Sequence, residues 1–219
     1  MVGKILLGIP SCHALRHWEQ TIRDTWGKDV PAEVALRFFL GQPKIEPGLD
    51  EVILDCGDSL SDLTHKCVAM FRWALAQGYD FVFKGDLDTF VRPRLLLQSG
   101  FEQWDYVGGY EGGRAVDFAS GGAGYVLSRK AMLSAIEGEY PREPWEDLYI
   151  AEVLHAHGVR LHADSRYKYL PGAILDDQTI AYHLSSVKGW GEKATPQDVY
   201  SAYAYKAPKV KKTLRRPPR

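Results

Sequence analysis

Short apolar runs alternate with amphipathic segments through the first half of the chain, and this alternation restricts the possible folds most strongly. It predicts, in order, strand, helix, strand, strand, helix and strand at residues 4–10, 15–26, 34–40, 52–54, 62–76 and 81–83. A glycine follows each helical segment within two residues, at Gly27 and Gly78, and glycine favours helix termination. The order is typical of an α/β domain with a largely parallel central sheet flanked by helices.

The balance of acidic and basic residues indicates which kinds of partner the protein is expected to bind. The chain carries 27 basic and 28 acidic side chains, with a formal net charge of −1, so its composition gives no reason to expect nucleic acid as a partner. Basic residues cluster at positions 209–219. Such a run is typical of a solvated tail, and the alternative is an arm that contacts phosphates or a membrane surface.

Two features of the sequence bear on cellular location. The first eleven residues, MVGKILLGIPS, are too short an apolar run for a signal peptide or a membrane span, so we expect a buried strand there and no anchor. Cys12, Cys56 and Cys67 show no CxxC spacing, which argues against a disulfide framework and a zinc site. Together these features favour a reducing compartment and predict a cytoplasmic protein.

An acidic DxD motif follows the last predicted strand of this half. The segment KGDLD leaves the end of strand 81–83 and places its acids at Asp86 and Asp88. Ligands of open α/β sheets bind beyond the carboxyl ends of the strands. Two carboxylates at i and i+2 can reach one divalent cation, which prefers oxygen ligands and keeps positions open for substrate phosphates. The alternative is a surface loop with two solvated acids, because a bare DxD is frequent by chance.

The sequence around this motif resembles a known enzyme family. KGDLDTFV at 84–91 is similar to the KxDDDxFV motif of glycosyltransferase family 31, which contains β-1,3-galactosyltransferases, β-1,3-N-acetylglucosaminyltransferases and Fringe-like enzymes. Further segments resemble family motifs in the same order: IRDTWG at 22–27, FFLG at 38–41, DCGDSLSDLTHK at 55–66, SGGAGYVLS at 120–128 and EDL at 146–148. The chain departs from the family at Leu87, which replaces an acid, at Leu60, which replaces a tyrosine, and in lacking most family cysteines.

The resemblance implies a fold and an activity. It implies a single GT-A glycosyltransferase domain over residues 1–208, with a Rossmann-like nucleotide-binding half at about 1–100 and an acceptor-binding half at about 101–208. The expected reaction is an inverting transfer of a hexose, of galactose or N-acetylglucosamine type, from a UDP-sugar to a hydroxyl of a glycan or glycolipid. Mn²⁺ is the expected metal, with Mg²⁺ as the alternative. The missing anchor and cysteines indicate a bacterial or viral enzyme.

The family motifs also imply roles for individual residues. Asp88 and Asp86 are expected to bind the metal together with His183, although a lone histidine in an apolar strand is otherwise more often structural. Asp147 falls on the family's EDV aspartate and is the expected general base, because inverting transfer needs a carboxylate that accepts the acceptor's proton. The alternative is that Glu146 and Asp147 simply begin a helix, where acids are favoured.

A further set of residues is expected to contact the substrates. The nucleotide-sugar contacts are Asp86, Asp58, Lys66, Arg23, Gly121 and Gly122, and the acceptor contacts are Trp145 and Glu146. Glycines let backbone amides approach a sugar closely, but a tight turn would also explain them. Arg23 has an alternative role in bracing the first helix, Asp58 and Lys66 in helix capping, and Trp145 in the core.

Two other classes of protein remain as alternatives. Haloacid dehalogenase phosphatases also place a DxD motif after a buried strand, and Asp176 with Asp177 would imitate their second acidic pair. Here, however, Phe90 occupies the position of their threonine or valine, and the motif lies some 80 residues into the chain. A catalytically inactive sugar-binding module is the other alternative, although such a module has no need of two motif acids, a base and a metal histidine.

Overall fold

The computed structural model describes residues 3–43, 46–112, 116–143, 145–189 and 191–205. The strands are β1 Ile5–Pro10, β2 Ala35–Leu40, β3 Glu51–Ile53, β4 Phe81–Lys84, β5 Thr89–Val91, β6 Tyr106–Gly108, β7 Tyr110–Glu111, β8 Phe118–Ala119, β9 Tyr125–Ser128, β10 His162–Ala163, β11 Tyr167–Lys168 and β12 Ala181–His183. The α-helices are α1 His17–Asp24, α2 Leu63–Ala76, α3 Pro93–Leu97, α4 Arg129–Ala135, α5 Glu146–Ala156, α6 Leu184–Lys188 and α7 Pro196–Ala204. The basic run at 209–219 lies outside the described residues.

A seven-stranded sheet forms the centre of the molecule, in the order β10-β6-β9-β4-β1-β2-β3. Every neighbouring pair is parallel except the two that β9 makes, because β9 runs antiparallel to both β4 and β6. The prediction of an α/β domain with a mostly parallel sheet is confirmed. Since β9 is reversed, its first residue, Tyr125, pairs with Lys84 at the end of β4.

Helices cover both faces of this sheet. Strand β1 is buried along its whole length because its side chains alternate between two cores. Ile5, Leu7 and Ile9 pack with residues of α1, α3 and α7, whereas Leu6 packs with residues of α2, α4 and α5. Each fully buried aliphatic side chain of this kind contributes about 1.5–3 kcal/mol to the stability of the fold. No helix among the described residues is long and apolar enough to cross a bilayer.

A second, three-stranded sheet is attached where the acidic motif ends. Its order is β11-β12-β5, with β5 antiparallel to β12. The register pairs His183 with Thr89 and Tyr182 with Phe90. This pairing carries the end of β12 to the carboxyl edge of β4, although the two strands are far apart along the chain.

Candidate functional site

Asp86, Asp88 and His183 converge at the carboxyl edge of β4. Each offers one ligand atom, and these atoms all lie within 4.8 Å of one another. Asp88 Oδ2 is 3.2 Å from His183 Nε2 and accepts a hydrogen bond from the hydroxyl of Ser185. The backbone N–H of Leu184 donates to the carbonyl of Asp88 at 3.1 Å, so the β12 end is fixed against the motif. Two carboxylates and an imidazole at this spacing could hold a divalent cation.

The charges of Asp88 and His183 stabilise each other. Burial opposes ionisation of Asp88, but the hydrogen bond and charge of His183 and the Ser185 hydroxyl hold the pKa of Asp88 below its usual value. Burial lowers the pKa of His183, but Asp88 and Asp86 outweigh it and raise that pKa above its usual value. A bound cation would take the place of the imidazole proton, because metal ligands must be deprotonated.

A buried lysine connects the acidic motif to α5. Lys84 Nζ lies 2.7 Å from Asp86 Oδ1, 3.0 Å from Glu146 Oε2 and 3.1 Å from the carbonyl oxygen of Gly121. The side chains of Lys84 and Glu146 are only 1% and 2% exposed. Burial lowers the pKa of Lys84, yet the charges of Asp86 and Glu146 hold it well above its usual value. The hydroxyl of Tyr125 donates to the second oxygen of Glu146.

Sequence reasoning missed the role of Lys84. The available signal was a lysine at the end of an apolar strand, directly before two acids. A lysine there usually extends to solvent, and nothing in the linear sequence shows that Glu146 would lie opposite it.

Asp147 lies at the first turn of α5 and is half-buried. Its Oδ2 accepts the backbone N–H of Gly121 at 2.8 Å, and its Oδ1 accepts the N–H of Leu148 at 2.9 Å. These two donors fix the orientation of the carboxylate. Trp145 immediately precedes the helix and is 54% exposed. The two residues therefore present a carboxylate and an aromatic ring at the same helix end.

The two glycines 121 and 122 pack tightly between these groups. A Cβ on Gly122 would lie 2.3 Å from His183 Cε1 and Nδ1. A Cβ on Gly121 would lie 2.8 Å from Glu146 Oε2 and 3.2 Å from both Lys84 Nζ and Asp147 Cβ. The loop therefore brings its backbone between the histidine and the start of α5 only because both residues lack a side chain.

A cleft of about 360 Å³ opens on the β1 side of the acidic motif. It is lined by Pro10, Ser11, Cys12, Leu15, Asp58, Ser59, Leu60, Leu63, Lys66, Asp86, Leu87 and Asp88. Lys66 Nζ donates to the carbonyl of Ser11 at 2.5 Å and to Asp58 Oδ1 at 2.7 Å. Asp58 also accepts the backbone N–H groups of His13 and Gly41, each at 2.7 Å. Burial opposes ionisation of Asp58, but these partners hold its pKa below its usual value.

Other residues predicted to be in the site lie elsewhere or face inward. The guanidinium of Arg23 pairs with Asp50 at 2.8 Å and with Glu19 at 2.9 Å, and Arg23 does not line the cleft. Glu146 is buried between Lys84 and Tyr125, as described above. Asp176 accepts hydrogen bonds from Thr179 and Gln178 and is not grouped with the motif acids, which removes support from the phosphatase alternative.

No protein-family model and no curated protein matches the sequence. Among solved structures, the chain is similar to the apo form of the glycosyltransferase GlyE of Streptococcus pneumoniae TIGR4, with a TM-score of 0.56, 12% identity, and coverage of 94% of this chain and 61% of that one. A second GlyE structure gives a TM-score of 0.55 and 13% identity, with the same coverage. CMP:2-keto-3-deoxy-manno-octonic acid synthetase complexed with CTP gives 0.50 and 13% identity, covering 74% of this chain and 89% of that one.

The fold is GT-A-like. At 12% to 13% identity the likeness extends to the fold alone and identifies no family. The chain spans 61% of the length of the GlyE structures that it matches. In open α/β sheets ligands bind beyond the carboxyl ends of the strands, and the acidic group and the cleft lie at that edge of this sheet.

Proposed function

We propose that the protein is a metal-dependent glycosyltransferase. It would transfer a hexose of galactose or N-acetylglucosamine type from a UDP-sugar to an acceptor hydroxyl, with inversion, as in family 31. The observation that carries the proposal is the convergence of Asp86, Asp88 and His183 beside an open cleft at the carboxyl edge of β4. The glycosyltransferase fold of its structural neighbours supports it.

The donor site in this proposal lies in the β1-side cleft. Asp88, Asp86 and His183 would hold Mn²⁺ or Mg²⁺, which shields the diphosphate and stabilises UDP as the leaving group. The apolar side chains that line the cleft, among them Leu60 and Leu63, offer a surface for the nucleoside. The nucleotide-binding half would then be about 1–100 and the acceptor-binding half about 101–208, as the sequence predicts.

Asp147 is proposed as the general base. Its carboxylate is held by the N–H groups of Gly121 and Leu148, so its position relative to the acceptor hydroxyl would be fixed before binding. Trp145 is proposed as an acceptor contact, and its exposure supports this role. The donor contact predicted for Arg23 and the acceptor contact predicted for Glu146 stay predictions, with ion pairing and burial against them.

The test is calorimetry of UDP binding with Mn²⁺ and with EDTA. We expect Mn²⁺ to tighten UDP binding to the wild type and Asp88→Ala to remove that difference. His183→Ala should weaken metal-dependent binding by less, because water can replace an imidazole ligand. Asp177→Ala, an exposed acid outside the group, is the matched control and should behave as the wild type. Equal UDP affinity of the wild type in Mn²⁺ and in EDTA would refute the proposal.

A screen for metal-dependent hydrolysis of UDP-galactose, UDP-N-acetylglucosamine and other nucleotide sugars would then identify the donor. Turnover of any of them excludes an inactive sugar-binding module.

A further inference from the structure

A second cavity, of about 600 Å³, opens at the same edge of the sheet. Its wall includes Gly109, which follows β6, and Ala163, which ends β10. Strand β6 lies two strands from β4 in the sheet, on the side away from β1, a separation of about 10 Å at the usual strand spacing. The cavity and the β1-side cleft therefore lie on opposite sides of the acidic motif.

Two hydrogen bonds connect this cavity to the proposed base. The N–H of Ser120 donates to the carbonyl of Gly109 at 3.0 Å, and the N–H of the next residue, Gly121, donates to Asp147 Oδ2 at 2.8 Å. The N–H groups of two consecutive residues, Ser120 and Gly121, thus connect the cavity wall to Asp147. The cavity wall and the proposed base are therefore held by the same loop, which contains Ser120 and Gly121.

The open surface of the cavity is aromatic and aliphatic. Tyr110 is 49% exposed and Leu170 is 55% exposed, and Pro171 next to Leu170 is also exposed. The hydroxyl of Tyr169 donates to the carbonyl of Tyr110, which fixes β7 against the segment after β11. We call this cavity the tyrosine cleft, after Tyr110, Tyr167 and Tyr169 in its lining. Tyr167 and Tyr169 are buried, so Tyr110 supplies the exposed aromatic ring, which suits the apolar face of a sugar ring.

The charged groups of the tyrosine cleft are already paired within the chain. Among its lining residues, the charged side chains are Asp164 and Lys168. Asp164 forms an ion pair with Arg166 at 2.6 Å, and Lys168 lies 3.7 Å from Asp176 Oδ2. Among the described lining residues, an anionic or cationic ligand would find no unpaired counter-charge, so charge complementarity there favours a neutral ligand.

We propose that the tyrosine cleft binds the acceptor, and that the acceptor is a neutral saccharide whose ring stacks on Tyr110. This assignment rests on the proposed glycosyltransferase function for the reaction, but the binding itself can be measured separately. The acceptor hydroxyl would reach Asp147 from the cleft, and Trp145 would contact the same molecule at the start of α5.

The experiment uses saturation-transfer NMR on the full chain with p-nitrophenyl β-D-glucoside, β-D-galactoside and β-D-N-acetylglucosaminide as neutral probes. p-Nitrophenyl β-D-glucuronide is the matched anionic probe, because it differs from the glucoside only in the carboxylate. We expect at least one neutral glycoside to bind and the glucuronide to bind more weakly than the glucoside. Tyr110→Ala should weaken neutral binding by about 3- to 10-fold, the loss expected for an aromatic contact.

Three variants serve as comparisons. Tyr110→Phe keeps the aromatic ring and should bind the neutral glycoside as the wild type does. Leu170→Ala should weaken binding of the same glycoside. Tyr200→Ala removes an exposed tyrosine from α7, outside the cleft, and should change nothing. Thermal unfolding of each variant shows whether it is folded. Binding that is absent for all neutral probes, unaffected by Tyr110→Ala, or equal for the glucoside and the glucuronide would overturn the assignment.

Donor hydrolysis by water separates the two proposals. This hydrolysis is measured on the wild-type protein with Mn²⁺, because water replaces the acceptor in the reaction. If the wild-type protein hydrolyses no nucleotide sugar, the proposed function is wrong. If it hydrolyses one but glycoside binding does not depend on Tyr110, only the assignment of the acceptor to the tyrosine cleft is wrong.

Discussion

Replacing Lys84 with methionine tests the buried link between the acidic motif and α5. Methionine keeps most of the apolar stem and removes the charge that contacts Asp86, Glu146 and Gly121. Among the described residues, the hydrogen-bond partner left to the buried Glu146 carboxylate would then be the Tyr125 hydroxyl. The variant thus breaks an ion pair whose members are 1% and 2% exposed.

The expected loss follows from this burial. Breaking a buried ion pair by removing one partner costs about 3–5 kcal/mol, because the remaining charge stays buried without compensation. In a domain of this size, 1 kcal/mol corresponds to roughly 2–4 °C in Tm, so Lys84→Met should lower Tm by about 10 °C. Glu146→Gln in the same background removes the stranded charge and should recover part of that loss.

Differential scanning calorimetry of the wild type, both single variants and the double variant measures this coupling. We expect an interaction energy of about 1–3 kcal/mol between the two sites. Titration of the Lys84→Met protein with UDP in the presence of Mn²⁺ gives a second measurement, because Asp86 loses its contact with the Lys84 ammonium group. A Lys84→Met protein that melts within about 2 °C of the wild type, or a double variant no more stable than Lys84→Met, would refute the reasoning.

Two further substitutions probe the groups around this link. Asp147→Asn should lower the rate of sugar transfer by about 10²- to 10⁴-fold, the usual contribution of a general base, while UDP and Mn²⁺ binding stay the same. Glu152→Gln, on the exposed face of α5, is the control. Transfer by Asp147→Asn at the wild-type rate would contradict the assignment. Gly122→Ala should weaken metal-dependent UDP binding, measured by calorimetry, because its Cβ would lie 2.3 Å from the His183 ring. Unchanged binding would show that the loop shifts to accommodate the Cβ without moving the histidine.

The elements of the first half could be predicted because their signals are local. Strand β1 and helices α1 and α2 follow from apolar periodicity and terminal glycines within short windows of sequence. The acidic motif is also local, since two acids at i and i+2 leave one strand end. Physical reasoning from the sequence alone therefore reaches the position of Asp86 and Asp88 in the fold.

The rest of the site depends on contacts between distant segments. His183 entered only through the family resemblance, because no local pattern shows that β12 pairs with β5. Glu146 was predicted to contact the acceptor, but it is buried on the same face of α5 as Ile150, one helical turn away. That spacing is visible in the sequence and could have indicated that Asp147, not Glu146, remains partly accessible.

The pairing of β12 with β5 also has a consequence for biosynthesis. Asp88 and its hydrogen-bonding partner Ser185 are separated by 97 positions. Closing so long a loop costs entropy before any contact can compensate, and domains rich in such pairings fold more slowly. A nascent chain that has not yet released β12 from the ribosome holds the two acids without the histidine. The three side chains can therefore come together only after β12 has emerged from the ribosome.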